Sequence, residues 1–212
     1  MANLLRVAHV AVNVVSLGPG KRLVLWVQGC CFACKGCSSP QWRPLEAGTL
    51  HTVDTLAHDL LTKAPHDTEG VTFSGGEPML QAGPLLLLWE KLKCCRPHWS
   101  LILYTGFTWE DVLRAHDPAQ RQLAQAADVL IDGPYLEHLN NGRGLRGSSN
   151  QRIRFISPRY LSLARYFHEC PRTLELVIGQ GRVSLIGIPE KGLPKAMSAV
   201  LAGTEPSRST SA

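Results

Sequence analysis

Four of the seven cysteines in this chain lie in one short stretch, from Cys30 to Cys37. Cys30, Cys34 and Cys37 have the spacing CxxxCxxC, which places three thiols on one loop, although a CxxCxxC series beginning at Cys31 is also possible. Three thiolates that hold a 4Fe–4S cluster leave one iron without a protein ligand, whereas a cluster that only carries electrons is held by four cysteines. The spacing therefore indicates an iron–sulfur site with an iron open to a substrate.

Zinc is the alternative metal for these thiols. A structural zinc site takes four ligands, usually from two separated pairs of Cys or His. The other candidates for a fourth ligand, His51, Cys94 and Cys95, belong to no paired motif. The sequence therefore favours iron–sulfur, and we expect Cys94, Cys95 and Cys170 to be small buried hydrophobic residues.

A second candidate group consists of Gly75, Gly76 and Glu77, directly after the β-rich stretch 71–74. Glycines let the backbone approach a ligand closely and adopt positive φ. Glu77 offers a carboxylate to a cation. The alternative is an ordinary turn at the end of a strand.

Two later positions carry polar side chains beside predicted strands. Asp132 ends the stretch 128–132 and precedes Gly133. Three roles are open for it: contact with a cofactor, organisation of the pocket, or formation of a turn. Asn150 lies in the polar stretch 148–151, whose side chains either bind a ligand or cap backbone groups.

Taken together, these motifs resemble the radical S-adenosylmethionine superfamily. The resemblance is carried by CxxxCxxC after a strand and by the stretch 72–78, Thr-Phe-Ser-Gly-Gly-Glu-Pro. Gly-Pro-Gly at 18–20, the stretch 128–133 and Arg-Gly-Ser-Ser-Asn-Gln at 146–151 make the chain similar to the anaerobic ribonucleoside-triphosphate reductase-activating proteins, which are glycyl-radical-enzyme activases. The resemblance covers residues 3–157, and the family pattern favours Cys30 over Cys31 as the first cluster ligand.

The resemblance implies two cofactors, one 4Fe–4S cluster and S-adenosylmethionine, and no catalytic side chain beyond their ligands. Glu77 and the glycine backbone would hold the ammonium group of the methionine part, while residues around Gly36 and Ser38 would approach the adenosyl part. The implied metal ligands are Cys30, Cys34 and Cys37, and the implied cofactor contacts are Gly36, Cys37, Ser38, Gly75, Gly76, Glu77, Asp132 and Asn150.

The implied reaction is reductive cleavage of S-adenosylmethionine to a 5′-deoxyadenosyl radical, which generates a glycyl radical on a partner enzyme. The favoured partner is the anaerobic, class III, ribonucleoside-triphosphate reductase, with a flavodoxin- or ferredoxin-like protein as electron donor. The alternatives are a stand-alone radical enzyme acting on a small molecule or peptide, and a non-enzymatic iron–sulfur or zinc protein.

Composition limits the setting in which the protein works. The chain has 212 residues, of which 44% are hydrophobic, and contains no apolar run of about 18 residues, so we expect no membrane span. No signal peptide is recognisable, which predicts a cytoplasmic protein with reduced thiols. The net charge of +5 arises mainly from arginines between Arg143 and Arg172. These arginines form either a solvated face or a docking surface for an acidic partner. No nucleic-acid-binding motif accompanies them.

Strand and helix patterns alternate along the chain, which predicts an α/β fold with a mostly parallel sheet. The resemblance implies a partial (β/α) barrel of the radical S-adenosylmethionine type, with the site at the carboxyl ends of the strands. Residues 173–178 and 182–188 alternate in polarity and predict a C-terminal β-hairpin through Gly179, Gln180 and Gly181. We therefore expect a core over 1–157, a helix-and-hairpin extension over 158–202, and a disordered tail over 203–212. The predicted strands are 23–28, 70–74, 100–104, 127–132 and 151–156, and the predicted helices are 54–63, 82–93, 108–115, 118–126 and 160–168.

Overall fold

The structure, a computed structural model, describes residues 3–179, 182–193 and 197. Its main sheet has seven strands: β1 (Leu4–Val14), β2 (Lys21–Val27), β3 (Thr49–Thr52), β4 (Thr68–Gly75), β5 (Ser100–Tyr104), β6 (Val129–Asp132) and β7 (Arg152–Phe155). Their order is β3-β1-β2-β4-β5-β6-β7. The central strands β2, β4, β5 and β6 are parallel, and the other pairs are antiparallel. The predicted α/β fold with a parallel-rich sheet is confirmed.

The helices are α1 (Val53–Lys63), α2 (Ala82–Cys95), α3 (Trp109–Arg114), α4 (Pro118–Ala126) and α5 (Ala164–Glu169). Local sequence fixes where several of them begin. The side chain of Thr52 accepts the backbone N–H of Thr55 at the start of α1, and Asp117 caps α4 directly before its first residue, Pro118. None of the described helices is long and apolar enough to cross a bilayer.

The parallel strands are buried on both faces, which explains their nearly continuous apolar sequence. One face packs against α1, α2 and α4 through residues such as Leu25 and Phe73. The opposite face includes Trp26 and Ile102, and it is covered partly by residues after β7 such as Phe167. The carboxyl ends of the four parallel strands consequently meet at one edge, with helices on one side and the C-terminal part of the chain on the other.

The strand expected at 151–156 is present as β7, and it runs antiparallel to β6 because no helical crossover lies between them. Two other predictions about the elements are wrong. The helix expected at 160–168 is a 3-10 segment, Pro158–Leu163, followed by the short α5. Cys94 and Cys95 are exposed and Cys170 is only partly buried, because the buried stripe of α2 runs through Leu85, Leu88 and Leu92 and misses both cysteines at the end of that helix.

Two further strands follow α5. β8 (Leu174–Gly179) and β9 (Arg182–Gly187) pair antiparallel in a separate two-stranded sheet. The pair is fixed to the main sheet through Glu175, whose carboxylate accepts the backbone N–H groups of Val15 and Ser16 at 3.0 and 2.8 Å. Ile186 packs into the adjacent apolar cluster. The predicted turn residues 180 and 181 and the predicted tail 203–212 lie outside the described residues.

Candidate iron–sulfur site

The cysteine loop starts where β2 ends, and the chain that follows the loop anchors its beginning. The backbone N–H of Gly29 donates to the carbonyl of Trp42 at 2.9 Å, and that of Cys30 donates to the carbonyl of Arg43 at 3.0 Å. The returning chain therefore holds the first cysteine at the carboxyl edge of the sheet. We call residues 29–37 the cluster loop.

Gly75 and Gly76 allow the end of β4 to contact the cluster loop closely. Gly75 has φ +117°, and a Cβ on it would lie 2.3 Å from the backbone nitrogen of Val27. A Cβ on Gly76 would lie only 2.1 Å from the carbonyl oxygen of Gly29. Beyond the end of β4, the N–H of Gly76 donates to the carbonyl of Val27, and the N–H of Glu77 donates to the carbonyl of Gly29, both at 2.8 Å. The two glycines thus join the predicted cofactor motif directly to the cluster loop.

Glu77 is buried, and its carboxylate connects the ends of β4 and β5. It accepts hydrogen bonds from the backbone N–H of Met79 at 2.8 Å, the hydroxyl of Thr105 at 2.7 Å and the backbone N–H of Gly106 at 2.7 Å. Burial raises the pKa of Glu77 to about 7, although these three donors favour the ionised form. In this structure the carboxylate acts as a brace within the site, so Thr105 also belongs to the site wall.

The three thiols of the CxxxCxxC motif are partly buried, whereas Cys31 is exposed. Burial, together with the nearby Glu77 carboxylate, raises the pKa of the Cys30 thiol to about 11. The backbone N–H of Phe32 donates to the Cys30 sulfur at 3.4 Å. Burial also raises the pKa of Cys34, and the backbone N–H of Tyr135 opposes that shift. Buried thiols of high pKa are protonated near neutral pH, and metal coordination deprotonates a thiol outright.

The donor set suits an iron–sulfur cluster better than a single ion. A structural zinc site takes four ligands, whereas this loop offers three partly buried thiols. A tetrahedral zinc site gathers all its sulfurs within about 2.3 Å of one atom. In a 4Fe–4S cluster, each cysteine binds a different iron. Three partly buried soft donors spread over one loop therefore fit the cluster.

Asp132 organises the site rather than facing it. The side chain is buried, with one oxygen accepting the Nε of Arg154 at 2.7 Å and the other accepting the backbone N–H of Trp109 at 2.9 Å. The carboxylate therefore fixes the start of α3 to β7. Gly133 continues the turn, since its N–H donates to the carbonyl of Phe107.

Asn150 lies in a stretch whose side chains mostly cap backbone groups. Ser148 accepts the N–H of Leu136, and Gln151 binds three backbone groups of the neighbouring loops. Asn150 donates its Nδ2 to the carbonyl of Pro134 at 2.7 Å, but its buried Oδ1 has no hydrogen-bond partner among the described residues. An unpaired buried acceptor costs about 1–3 kcal/mol, so a donor from a bound molecule would satisfy it. Gly36 is exposed on the cluster loop, and Ser38 is exposed directly after it.

Several arginines of the basic segment from Arg143 to Arg172 are bound by groups elsewhere in the chain. Arg152 pairs with Glu110, Arg154 with Asp132, and Arg165 with Glu169. Arg172 donates instead to backbone carbonyls and to one amide. The sequence did not reveal the roles of Arg154 and Arg172, because the groups that bind their guanidinium groups lie on distant segments of the chain. For Arg154, the available signal was its position on the strand that pairs with the strand of Asp132.

An α/β sheet that presents a three-cysteine loop at the carboxyl edge of its parallel strands defines a single-cluster iron–sulfur protein. In agreement, the family model described as "4Fe-4S single cluster domain" matches residues 16–154. The anaerobic ribonucleoside-triphosphate reductase-activating protein of Enterobacteria phage T4 is 31% identical over 140 residues, which are 64% of this chain and 85% of that protein. Its counterpart in Vibrio cholerae is 34% identical over 149 residues, 67% of this chain and 92% of that protein.

A pyruvate formate-lyase-activating enzyme of Staphylococcus aureus is also similar, at 32% identity over 143 residues, 64% of this chain and 55% of that protein. The chain belongs to the anaerobic ribonucleoside-triphosphate reductase-activating protein family of the radical S-adenosylmethionine superfamily. The resemblance seen in the sequence is confirmed.

Proposed function

We propose that this protein is a glycyl-radical-enzyme activase whose partner is the anaerobic ribonucleoside-triphosphate reductase. The observation that carries the proposal is the direct backbone connection between the cluster loop and the Gly-Gly-Glu motif, at 2.8 Å between the N–H of Glu77 and the carbonyl of Gly29. Membership of the activating-protein family supports the choice of reaction and of partner.

Cys30, Cys34 and Cys37 would hold the 4Fe–4S cluster, and Cys31, which is exposed, would remain outside it. When bound, the cluster supplies an electron that cleaves S-adenosylmethionine to methionine and a 5′-deoxyadenosyl radical. The protein contributes geometry. Gly76 lets the end of β4 lie directly against the cluster loop. The buried carboxylate of Glu77 holds the ends of β4 and β5 together and would supply negative charge near an ammonium group.

The adenosyl side of the site would be formed by the exposed part of the cluster loop and by Asn150, in the turn before β7. The unpaired Oδ1 of Asn150 is suited to accept a hydrogen bond from a nucleoside, and Asp132 would keep the adjoining turn in place. The assigned contacts are Gly36, Cys37, Ser38, Gly75, Gly76, Glu77 and Asn150, whereas Asp132 acts through the turn that it holds in place.

The finer architecture and setting are part of the same proposal. The seven-stranded sheet would be the partial barrel of this superfamily, with a core over 1–157 and an extension over 158–202 that includes β8 and β9. The tail 203–212 lies outside the described residues. A flavodoxin- or ferredoxin-like protein would deliver the electron in the cytoplasm, where thiols stay reduced, without a role for a membrane or nucleic acid.

The test is anaerobic turnover with the reconstituted protein. Reduced protein should form 5′-deoxyadenosine from S-adenosylmethionine, and adding the anaerobic reductase should produce a glycyl radical signal in electron paramagnetic resonance. Cys34→Ala should abolish both, while Cys31→Ser, the matched control, should retain both. Cleavage without a radical on either the reductase or pyruvate formate-lyase would favour a stand-alone enzyme, and absence of cleavage would favour a non-enzymatic metal protein.

A further inference from the structure

One aromatic side chain of the cluster loop packs against the chain that follows β5. Phe32 is partly buried, whereas its neighbours Cys31 and Ala33 are exposed. Its ring packs edge-on against Phe107, with 5.0 Å between the ring centroids and 65° between the ring planes. The ring also lies directly against Gly106, where a Cβ would be 2.6 Å from one ring carbon. The absence of a side chain at Gly106 therefore makes room for the ring.

We call Gly106 and Phe107 the ring niche. The N–H of Gly106 donates to the carboxylate of Glu77 at 2.7 Å, and the N–H of Phe107 donates to the hydroxyl of Thr105 at 3.1 Å. The carbonyl of Phe107 accepts the N–H of Gly133 at 2.9 Å. Residues that follow β4, β5 and β6 thus hold the ring niche in place.

The backbone of Phe32 contacts the first cysteine of the motif. Its N–H donates to the sulfur of Cys30 at 3.4 Å. Because the ring and this N–H belong to one residue, packing of the ring in the niche limits the directions in which the N–H can point. The backbone bonds of Gly29 and Cys30 anchor the beginning of the cluster loop. The ring adds an anchor between Cys30 and Cys34.

We propose that Phe32 is a positioning residue that clamps the cluster loop to the ring niche, directs the sulfur of Cys30 toward the cluster and slows the loss of the cluster. A hydrogen bond to an ionised acceptor is stronger than one to a neutral acceptor, and such outer contacts orient metal ligands. The proposal rests on the proposed function only in taking Cys30 as a cluster ligand. Since Glu77 also binds the niche, the clamp joins this ligand to the Gly-Gly-Glu motif.

Gly106→Ala tests the clamp without altering Phe32. The backbone of Gly106 does not adopt a positive φ, so alanine causes no backbone strain there. The three atoms nearest to the added Cβ are all carbons of the Phe32 ring, at 2.6, 2.8 and 3.2 Å. The methyl group should therefore displace the ring. In a Phe32→Ala background the same substitution should have almost no effect, because these ring carbons are gone. Gly83→Ala is the matched control, since the nearest atom to its added Cβ is 3.9 Å away.

The first readout is the rate at which anaerobically reconstituted protein loses iron to a ferrous chelator, without S-adenosylmethionine or a partner enzyme. Phe32→Ala and Gly106→Ala should each lose iron roughly tenfold faster than the wild type, as expected for the loss of one aromatic contact. The double variant should lose iron no faster than Phe32→Ala alone, because both substitutions break the same contact. Gly83→Ala should lose iron at the wild-type rate.

The second readout reports on the sulfur itself. In protein labelled with nitrogen-15 phenylalanine, electron–nuclear double resonance of the reduced cluster should detect the backbone nitrogen of Phe32 through its hydrogen bond to Cys30. This coupling should weaken in Gly106→Ala, which keeps the labelled residue, and stay unchanged in Gly83→Ala. In the apoprotein, the peptide that spans the cluster loop should exchange amide hydrogens faster in Gly106→Ala than in Gly83→Ala.

A Gly106→Ala protein with wild-type iron loss and wild-type exchange of the cluster loop would overturn the proposal, whatever the Phe32 variants do. Equal effects of Gly106→Ala with and without the Phe32 ring would also overturn it. If Phe32→Ala does not fold, Phe32→Val replaces it, because valine lacks all three ring carbons. Hydrogen exchange of the apoprotein needs neither cluster nor turnover. Faster exchange in a protein that does not cleave S-adenosylmethionine would therefore support the clamp while refuting the proposed function.

Discussion

Gly76→Ala is the substitution for which the structure gives the sharpest expectation. The added methyl carbon would lie 2.1 Å from the carbonyl oxygen of Gly29 and 2.9 Å from that of Trp42. Both oxygens belong to backbone that anchors the cluster loop, so neither can rotate away as a flexible side chain would. The strand end and the loop must separate, and the hydrogen bond from the N–H of Glu77 to Gly29 is lost.

The cost has two parts. Overpacking of a well-packed site typically costs about 1–3 kcal/mol, and a lost backbone hydrogen bond costs about 1 kcal/mol. We therefore expect Gly76→Ala to lower the free energy of unfolding by roughly 2–4 kcal/mol. Iron and sulfide bound per chain after reconstitution should fall, because Cys30 moves with the displaced loop. Urea unfolding of the apoprotein and iron analysis of the reconstituted protein measure the two effects separately.

Gly83→Ala is the matched control. Gly83 lies in the first turn of α2, and its nearest neighbour to an added Cβ is 3.9 Å away. Alanine should therefore fit without strain and stabilise the helix by up to about 1 kcal/mol. If the Gly76→Ala variant binds a full complement of iron and unfolds like the wild type, then Gly76 does not contact the cluster loop as closely as the structure indicates.

Four further substitutions test other parts of the structure. Asp132→Asn should lower the free energy of unfolding by about 1–3 kcal/mol in urea titrations, because it removes the charge from a buried hydrogen-bonded pair; an unchanged midpoint would contradict its bracing role. Thr108→Ala should cost about 1 kcal/mol through loss of the cap on α3. Hydrogen bonds from Thr108 lower the pKa of Asp111 in the folded protein below its ordinary value of 3.8. The stabilisation by the ionised Asp111 carboxylate is therefore fully present above pH 3.8 and should be lost as the pH falls through the lower pKa of the folded state. Unfolding curves recorded at acidic pH would detect this loss. Cys31→Ser should keep the cluster absorbance and Cys34→Ala should lose it; equal loss in both would reopen the CxxCxxC alternative.

The positions of the strands and of the cysteine loop could be predicted because their signals are local. An apolar run followed by closely spaced cysteines is sufficient to place the cluster loop after β2. β3 was missed because three of its four residues are exposed and only pairing with β1 makes it a strand. Arg22 shows a related limit, since a charged residue at the start of an apolar strand suggests solvent. In the structure it is completely buried, with its guanidinium bound to Thr72, Ser100 and a carbonyl of β4.

The internal connections of the site could not be predicted. Two partners of the Glu77 carboxylate, Thr105 and Gly106, directly follow β5, whose alignment with β4 depends on the register of the whole sheet. The sequence indicated that Glu77 carries a charge for a ligand, but it did not indicate that three protein donors already bind that charge. Similarly, the arginines after Arg143 looked like one basic surface, because the carboxylates and carbonyls that bind them lie elsewhere in the chain.

The most direct test of the account is Mössbauer spectroscopy of anaerobically reconstituted, iron-57-labelled protein, recorded with and without S-adenosylmethionine. The account predicts a 4Fe–4S cluster in which a single iron changes its isomer shift when S-adenosylmethionine is added, since that iron has no cysteine ligand. A cluster whose irons all stay unchanged, or protein that binds zinc in place of iron, would contradict it.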